Sequence, residues 1–154
     1  MEKRKKKVKN TAVSIKDNIF VPTVSLGQIA LNSDIKPYLD GTSYVYEEDP
    51  KTKEDLSYDT YYFDKYDLEA WVDVNGIVVS VKSSNTCYWN GINIVGLRFE
   101  KFKSIFHMEP DNQDVCYISN GQSHHVYDFY SVGLQIWVWY GIIRTVIATR
   151  VLDD

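Results

Sequence analysis

The sequence predicts an α+β fold of two similar units, each a short helix packed on an antiparallel sheet of three to four strands, with the two sheets continuous or side by side. Three observations predict it. The stretch YDLEAWVDVNGIVVSV from Tyr66 is echoed by SVGLQIWVWYGIIRTV from Ser131; with one residue deleted before the glycine, Leu68 meets Leu134, Trp71 meets Trp137, Gly76 meets Gly141 and Val81 meets Val146. Self-similarity of this kind marks a duplicated supersecondary unit. Each copy alternates apolar and polar residues, turns, and resumes as a β-branched run, the pattern of an antiparallel hairpin. Between the copies, Phe99, Phe102, Ile105 and Phe106 fall at helical spacing, and phenylalanines so spaced read as a core-facing stripe.

The elements follow in order. Residues 1–9 carry six basic groups and one acid; like charges repel and nothing apolar anchors them, so residues 1–18 are expected to form a disordered basic tail. Residues 19–88 make the first unit. There Leu26, Ile29, Leu31, Ile35 and Leu39 lead through an extended run into a short helix near Ser33, capped by Asn32 or Ser33, limited or made to start late by Pro37 and ended at Gly41. Residues 47–55, EEDPKTKED, read as a loop between strands at 44–46 and 61–63, and the first tryptophan hairpin closes the unit. Asn75-Gly76 is its turn, because both residues tolerate positive φ; Tyr140-Gly141 is a weaker version. Residues 89–154 repeat the plan, with a turn at Asn90-Gly91, the phenylalanine helix, strands at 115–118 and 126–130, and the second hairpin. The two units are expected to share one domain.

Alternation assigns faces. Leu68, Ala70, Val72 and Val74 share one face and Glu69, Trp71 and Asp73 the other; Leu134, Ile136 and Val138 oppose Gln135, Trp137 and Trp139. The aliphatic face is the core. Indoles mixed with carboxylates suit half-wet contact better than a dry interior. Either other elements cover them, or they form a protein-binding face, since Trp and Tyr anchors dominate interface energetics.

Chemistry has few candidates. His124 and His125 are adjacent in NGQSHH, which reads as a loop, and on a strand they would point to opposite faces, unable to chelate one ion. His107 reads as a helix C-terminal residue. HExxH, GxSxG, P-loop and dinucleotide patterns are absent. Cys87 and Cys116 lack CxxC spacing, which points to free thiols in a reducing cytoplasm. The basic N-terminus is not followed by an apolar segment of the signal-peptide kind, and no run approaches the length of a membrane span. The expectation is a cytoplasmic protein that is no enzyme, with no cofactor, no metal, and neither nucleic acid nor membrane as a partner.

Charge is divided. The net value is −4, yet the stretch 40–73 holds eleven acids against Lys51, Lys53 and Lys65. A phosphate backbone meets the wrong sign there, whereas a basic protein is steered in by such acids and held by aromatic anchors.

NGINIVGLRF at 90–99, the phenylalanine helix with EPD after it, VGLQIWVWYG at 132–141 and YDLEAWVDVNG at 66–76 resemble the β-lactamase-inhibitor-like tandem repeats and immunity proteins of polymorphic or contact-dependent bacterial toxin systems. The resemblance spans roughly residues 20–150 and implies a cofactor-free inhibitor that occupies a toxin's surface. The β-lactamase inhibitors of this layout are secreted and use disulfides, so the architecture and a sheet-borne binding face carry over, and the target does not. The expected function is to neutralise a cognate basic, nuclease-type toxin domain by steric and electrostatic occlusion. Glu47, Glu48, Asp49, Glu54 and Asp55 are the expected steering acids and Tyr61, Trp71, Trp137 and Trp139 the anchors, with Glu69 and Asp73 as further partner-binding residues on the tryptophan face. The alternative is a small-molecule-binding module or enzyme with a pocket between the units, lined by tyrosines and His124 or His125.

Overall fold

Two stretches of chain fold alike, and in each the strand residues outnumber the helical ones. The computed structural model describes residues 16–49, 58–118 and 121–151. The first stretch runs β1 (Phe20–Val21), β2 (Ser25–Leu26), β3 (Ile29–Ala30), α1 (Lys36–Leu39), β4 (Val45–Glu47), β5 (Asp59–Phe63), β6 (Leu68–Val72) and β7 (Val78–Ser83). The second runs β8 (Tyr88–Trp89), β9 (Ile92–Asn93), α2 (Phe99–Phe106), β10 (Asn112–Ile118), β11 (Gln122–Phe129), β12 (Leu134–Trp139) and β13 (Ile142–Thr149). Of the expected tail, residues 1–15 lie outside the described residues, whereas Asn18 is buried and its amide donates to the Tyr66 carbonyl at 3.1 Å.

The α+β expectation is corrected. The described residues are 49% strand and 12% helical, built on one antiparallel eight-stranded sheet in the order β10-β11-β12-β13-β7-β6-β5-β4. There are not two helix-on-sheet units, because among the described residues only α2 is a helix of more than one turn. The reason lies in where the preceding backbone bonds. Residues 32–35 bridge to the β6–β7 hairpin, with Asn32 N–H donating to the Val78 carbonyl and Ile35 N–H to the Gly76 carbonyl, both at 2.9 Å. Helix can begin only after Ile35, Pro37 occupies its first turn, and the backbone is extended again by Asp40. The expected side-chain cap from Asn32 or Ser33 does not form. The second stretch bridges in the same way, Phe99 N–H donating to the Gly141 carbonyl at 2.9 Å. It then meets FEKFKSIF, which has no breaker, and helix continues until His107 turns left-handed at φ 55.

The duplication is visible in the register. Phe63 pairs with Leu68 as Phe129 pairs with Leu134, and Thr60 faces Trp71 as Val126 faces Trp137. Both hairpins carry a bulge just after the tryptophan, between Trp71 and Val72 and between Trp137 and Val138. Strands β7 and β13 join the halves, with Lys82 opposite Ile147. These two positions are equivalent in the repeat, so an approximate twofold axis passes between them. The turns differ, and the extra residue shows why. Asp73 closes a longer loop by accepting from the N–H groups of Asn75 and Ile77 at 2.9 and 3.1 Å. Tyr140-Gly141 turns in two residues, both at positive φ.

The core lies on one side of this sheet. Phe63, Leu68, Ala70, Val72, Phe129, Leu134, Ile136 and Val138 pack against residues of β1–β3, the 87–97 segment and α2. Each large side chain sealed there is worth about 1.5–3 kcal/mol in burial. Val74, expected on the core face, instead sits in the hairpin loop and is 77% exposed. His124 and His125 lie on β11 rather than in a loop; alternation holds, so they face opposite sides. No helix among the described residues is long and apolar enough to cross a membrane.

Candidate protein-binding face

Because the short strands and helices pack on the aliphatic side, no element among the described residues lies over the opposite face. Five strands set its central row, Glu69, Lys82, Ile147, Gln135 and Asp128 being successive cross-strand neighbours. Trp71 and Trp137 stand on either side of that row, each half-buried. Three strand spacings and four residue steps separate them, about 20 Å between backbones. Each indole leans back over the residue two positions earlier: Trp71 Nε1–H donates to Glu69 Oε2 at 2.9 Å and Trp137 Nε1–H to Gln135 Oε1 at 2.7 Å. The polar handle of each ring is thereby satisfied within the strand, and what remains to meet a partner is apolar and oriented.

The acids divide by role. Glu47 and Glu48 are exposed at one corner of the face, and Glu47 shares a row with Thr60 and Trp71. Asp49 accepts from the Tyr58 N–H at 2.9 Å and donates its own N–H to Asp59 at 3.1 Å, so it shapes the corner. Tyr46 donates to Asp59 at 2.9 Å, and that bond pushes its phenol up to about 12. Glu69 is half-buried beside Lys82 at 3.8 Å. Asp73 holds the hairpin loop and pairs with Arg150 at 3.6 Å. Glu54 and Asp55 lie outside the described residues. Tyr61 is placed on the core side, its ring 4.9 Å from Tyr46 and 6.4 Å from Phe63, and so does not join the tryptophans.

The far end of the face is aromatic and partly cationic. Trp139 lies parallel to His124 at 6.0 Å, and the Arg144 guanidinium sits over its ring at 5.6 Å. Burial, and then Arg144, hold the imidazole of His124 below the ordinary histidine range. Its Nδ1 is buried without a hydrogen-bond partner. Arg144→Gln is therefore expected to raise the His124 pKa, because removing a cation favours imidazolium; NMR titration of the ring protons reads it, and an unmoved or lowered midpoint would refute the placement.

A groove that the sequence reading missed also opens on this face. It holds about 540 Å³ and crosses the junction of the two halves, from Tyr58 and Trp71 over Ser80 and Thr149 to Gln135, Asp128 and Tyr130. It carries tyrosines, as the expected pocket between units would, but neither His124 nor His125 lines it. Only the β7–β13 pairing brings these residues together, so no periodicity along the chain signals them. Among the described residues no group of three or more His, Cys, Asp or Glu side chains could hold a metal. Cys87 is buried, its thiol pushed up by desolvation, and Cys116 is half-buried; both are free thiols. Comparison with protein-family models, with curated proteins and with solved structures found no match.

Proposed function

We propose that this chain is a cytoplasmic protein-binding inhibitor whose uncovered sheet face docks a basic partner, and that a nuclease-type toxin domain neutralised by its immunity protein is the partner class it suits. The observation that carries this reading is the pair of half-buried indoles, with their N–H groups already satisfied, on a face that no described element covers. An indole held in this way loses little freedom on binding, which is what an interface anchor requires. Acids at the Glu47 corner raise the encounter rate with a cation-rich surface. A nuclease must itself present cations to hold its substrate, so occluding that surface blocks it without chemistry. The small-molecule alternative draws on the groove, whose volume lies in the range of ligand sites.

Two variants test the reading against the basic protein recovered with the chain from its native cells. Glu47→Lys combined with Glu48→Lys is expected to slow association about tenfold at low salt and to flatten its salt dependence. Asp49 is left in place because it organises the corner. Trp137→Ala is expected to raise the dissociation rate about thirtyfold, corresponding to about 2 kcal/mol. Surface plasmon resonance reads both constants. Unaltered kinetics in both variants would remove the face from consideration.

A further inference from the structure

We propose that the groove receives an extended segment of that basic partner, laid across the strands, with cationic residues toward its two ends. The inference rests on the reading of the face as a docking surface and adds the shape of what docks. Four interstrand spacings separate Trp71 on β6 from Asp128 on β11, about 19 Å. An extended chain covers that in about six residues at roughly 3.3 Å each.

The relief of the groove comes from side-chain size. Trp71 and Tyr130 rise at its ends, while Ser80, Thr149 and Gly133 keep its floor low. The hydroxyls on the floor are spent in bonding. Ser80 Oγ–H donates to Thr149 Oγ1 at 3.2 Å, and the Thr149 hydroxyl donates to the Val79 carbonyl at 3.4 Å. Such a floor loses little by giving up water to apolar side chains.

Charge selects the occupant. Asp128 accepts from the side-chain amides of Gln135 at 2.8 Å and Asn112 at 3.1 Å. Both donors are neutral, so they orient its carboxylate without pairing it, and no cation among the described residues forms an ion pair with it. Arg150, the cation that lines the groove, is matched by Asp73 at 3.6 Å. Beyond Trp71 the same row of the sheet ends in exposed Glu47. A segment with a cationic residue near each end therefore meets a carboxylate on both sides, and an acidic segment is repelled.

The repeat supplies an internal comparison, since Trp137 occupies the equivalent position and meets the groove only through its bond to Gln135. The probe is the hexapeptide acetyl-Arg-Val-Thr-Val-Thr-Arg-amide, titrated into the full chain while the indole N–H resonances are followed by NMR and assigned with Trp71→Phe and Trp137→Phe. The expected result is a saturable shift of the Trp71 resonance larger than that of Trp137, which senses the groove only through Gln135. The same peptide with glutamate for arginine is expected to give no shift. Asp128→Asn, which preserves shape, is expected to weaken binding three- to tenfold, roughly what a partly exposed charge contact supplies. No saturable shift at Trp71, an equal shift at Trp137, or equal binding of the glutamate peptide overturns the groove. These outcomes are separable from failure of the face. If Asp128→Asn binds the native partner unchanged while Trp137→Ala does not, the groove falls and the face stands; if neither Trp137→Ala nor the Glu47 and Glu48 reversals alter partner binding, the face falls.

Discussion

Phe102→Ala is expected to lower the unfolding free energy by about 3–5 kcal/mol. Phe102 is wholly buried on α2, with ring centroids 5.0 Å from Phe106, 5.5 Å from Phe129 on the sheet, and 6.2 Å from both Phe99 and Trp89. Truncation removes the contact that ties the helix to β11 and leaves a void walled by rigid rings, which relax into it poorly. Urea unfolding followed by circular dichroism measures the loss from the shift in midpoint at constant slope. Phe102→Leu keeps most of the volume and is expected to cost roughly 1 kcal/mol, so the series stays readable if the alanine variant does not fold. A loss below about 1 kcal/mol for alanine would mean that α2 is not docked as described.

Gly133→Ala is expected to cost about 3 kcal/mol, combining left-handed strain with a collision. Gly133 has φ 63 and ends the 3-10 turn at Tyr130–Val132. A Cβ there runs into the Thr149 carbonyl, which is backbone of the central sheet and cannot step aside. Thr149 also donates its N–H to the Gly133 carbonyl at 2.9 Å, fixing the approach from the other direction. Gly141 supplies the comparison, since it has φ 73 but meets nothing within 4 Å. Gly141→Ala should therefore cost only the strain, about 1 kcal/mol. Equal costs at the two glycines would show that the close approach of β12 and β13 is absent. Because Gly133 also floors the groove, this variant should disturb peptide binding along with stability, unlike Gly141→Ala.

Local patterns carried much of the plan. Alternation placed Leu68, Ala70 and Val72 on the side opposite Trp71, and Leu134, Ile136 and Val138 on the side opposite Trp137, because a strand reverses its side chains at every residue whatever surrounds it. The repeat of Trp71 at Trp137 corresponds in the structure to a shared bulge and a shared indole bond. The same reasoning set the short helix of the first unit near Ser33, whereas it runs Lys36–Leu39, because the backbone of residues 32–35 is taken up by the neighbouring hairpin; tertiary hydrogen bonds overrode propensity there. It also placed His124 in a loop, since NGQSHH looks polar and turn-like while its pairing with β10 and β12 lies elsewhere in the chain.

For the candidate site, sequence separated Glu47, Glu48 and the three tryptophans from the core, and structure then sorted them. Tyr61 went to the core side because its strand position is odd relative to Thr60 and Tyr62, a parity that could be read only once the bounds of β5 were known. Asp73 and Asp49 turned out to hold loops. Asp128, Tyr130 and Thr149 became neighbours of Trp71 only through the β7–β13 seam.

By itself the sequence determined the duplication, the two faces of each tryptophan hairpin and the concentration of acids between residues 40 and 73, since these depend on spacing along a single strand or on composition. Only the tertiary structure decided that the halves fuse into one sheet, that every described covering element packs on the same side, and that a groove crosses the seam. Those outcomes depend on which distant backbone groups find one another, and pairing between β7 and β13, more than sixty residues apart, leaves no periodic trace in either strand.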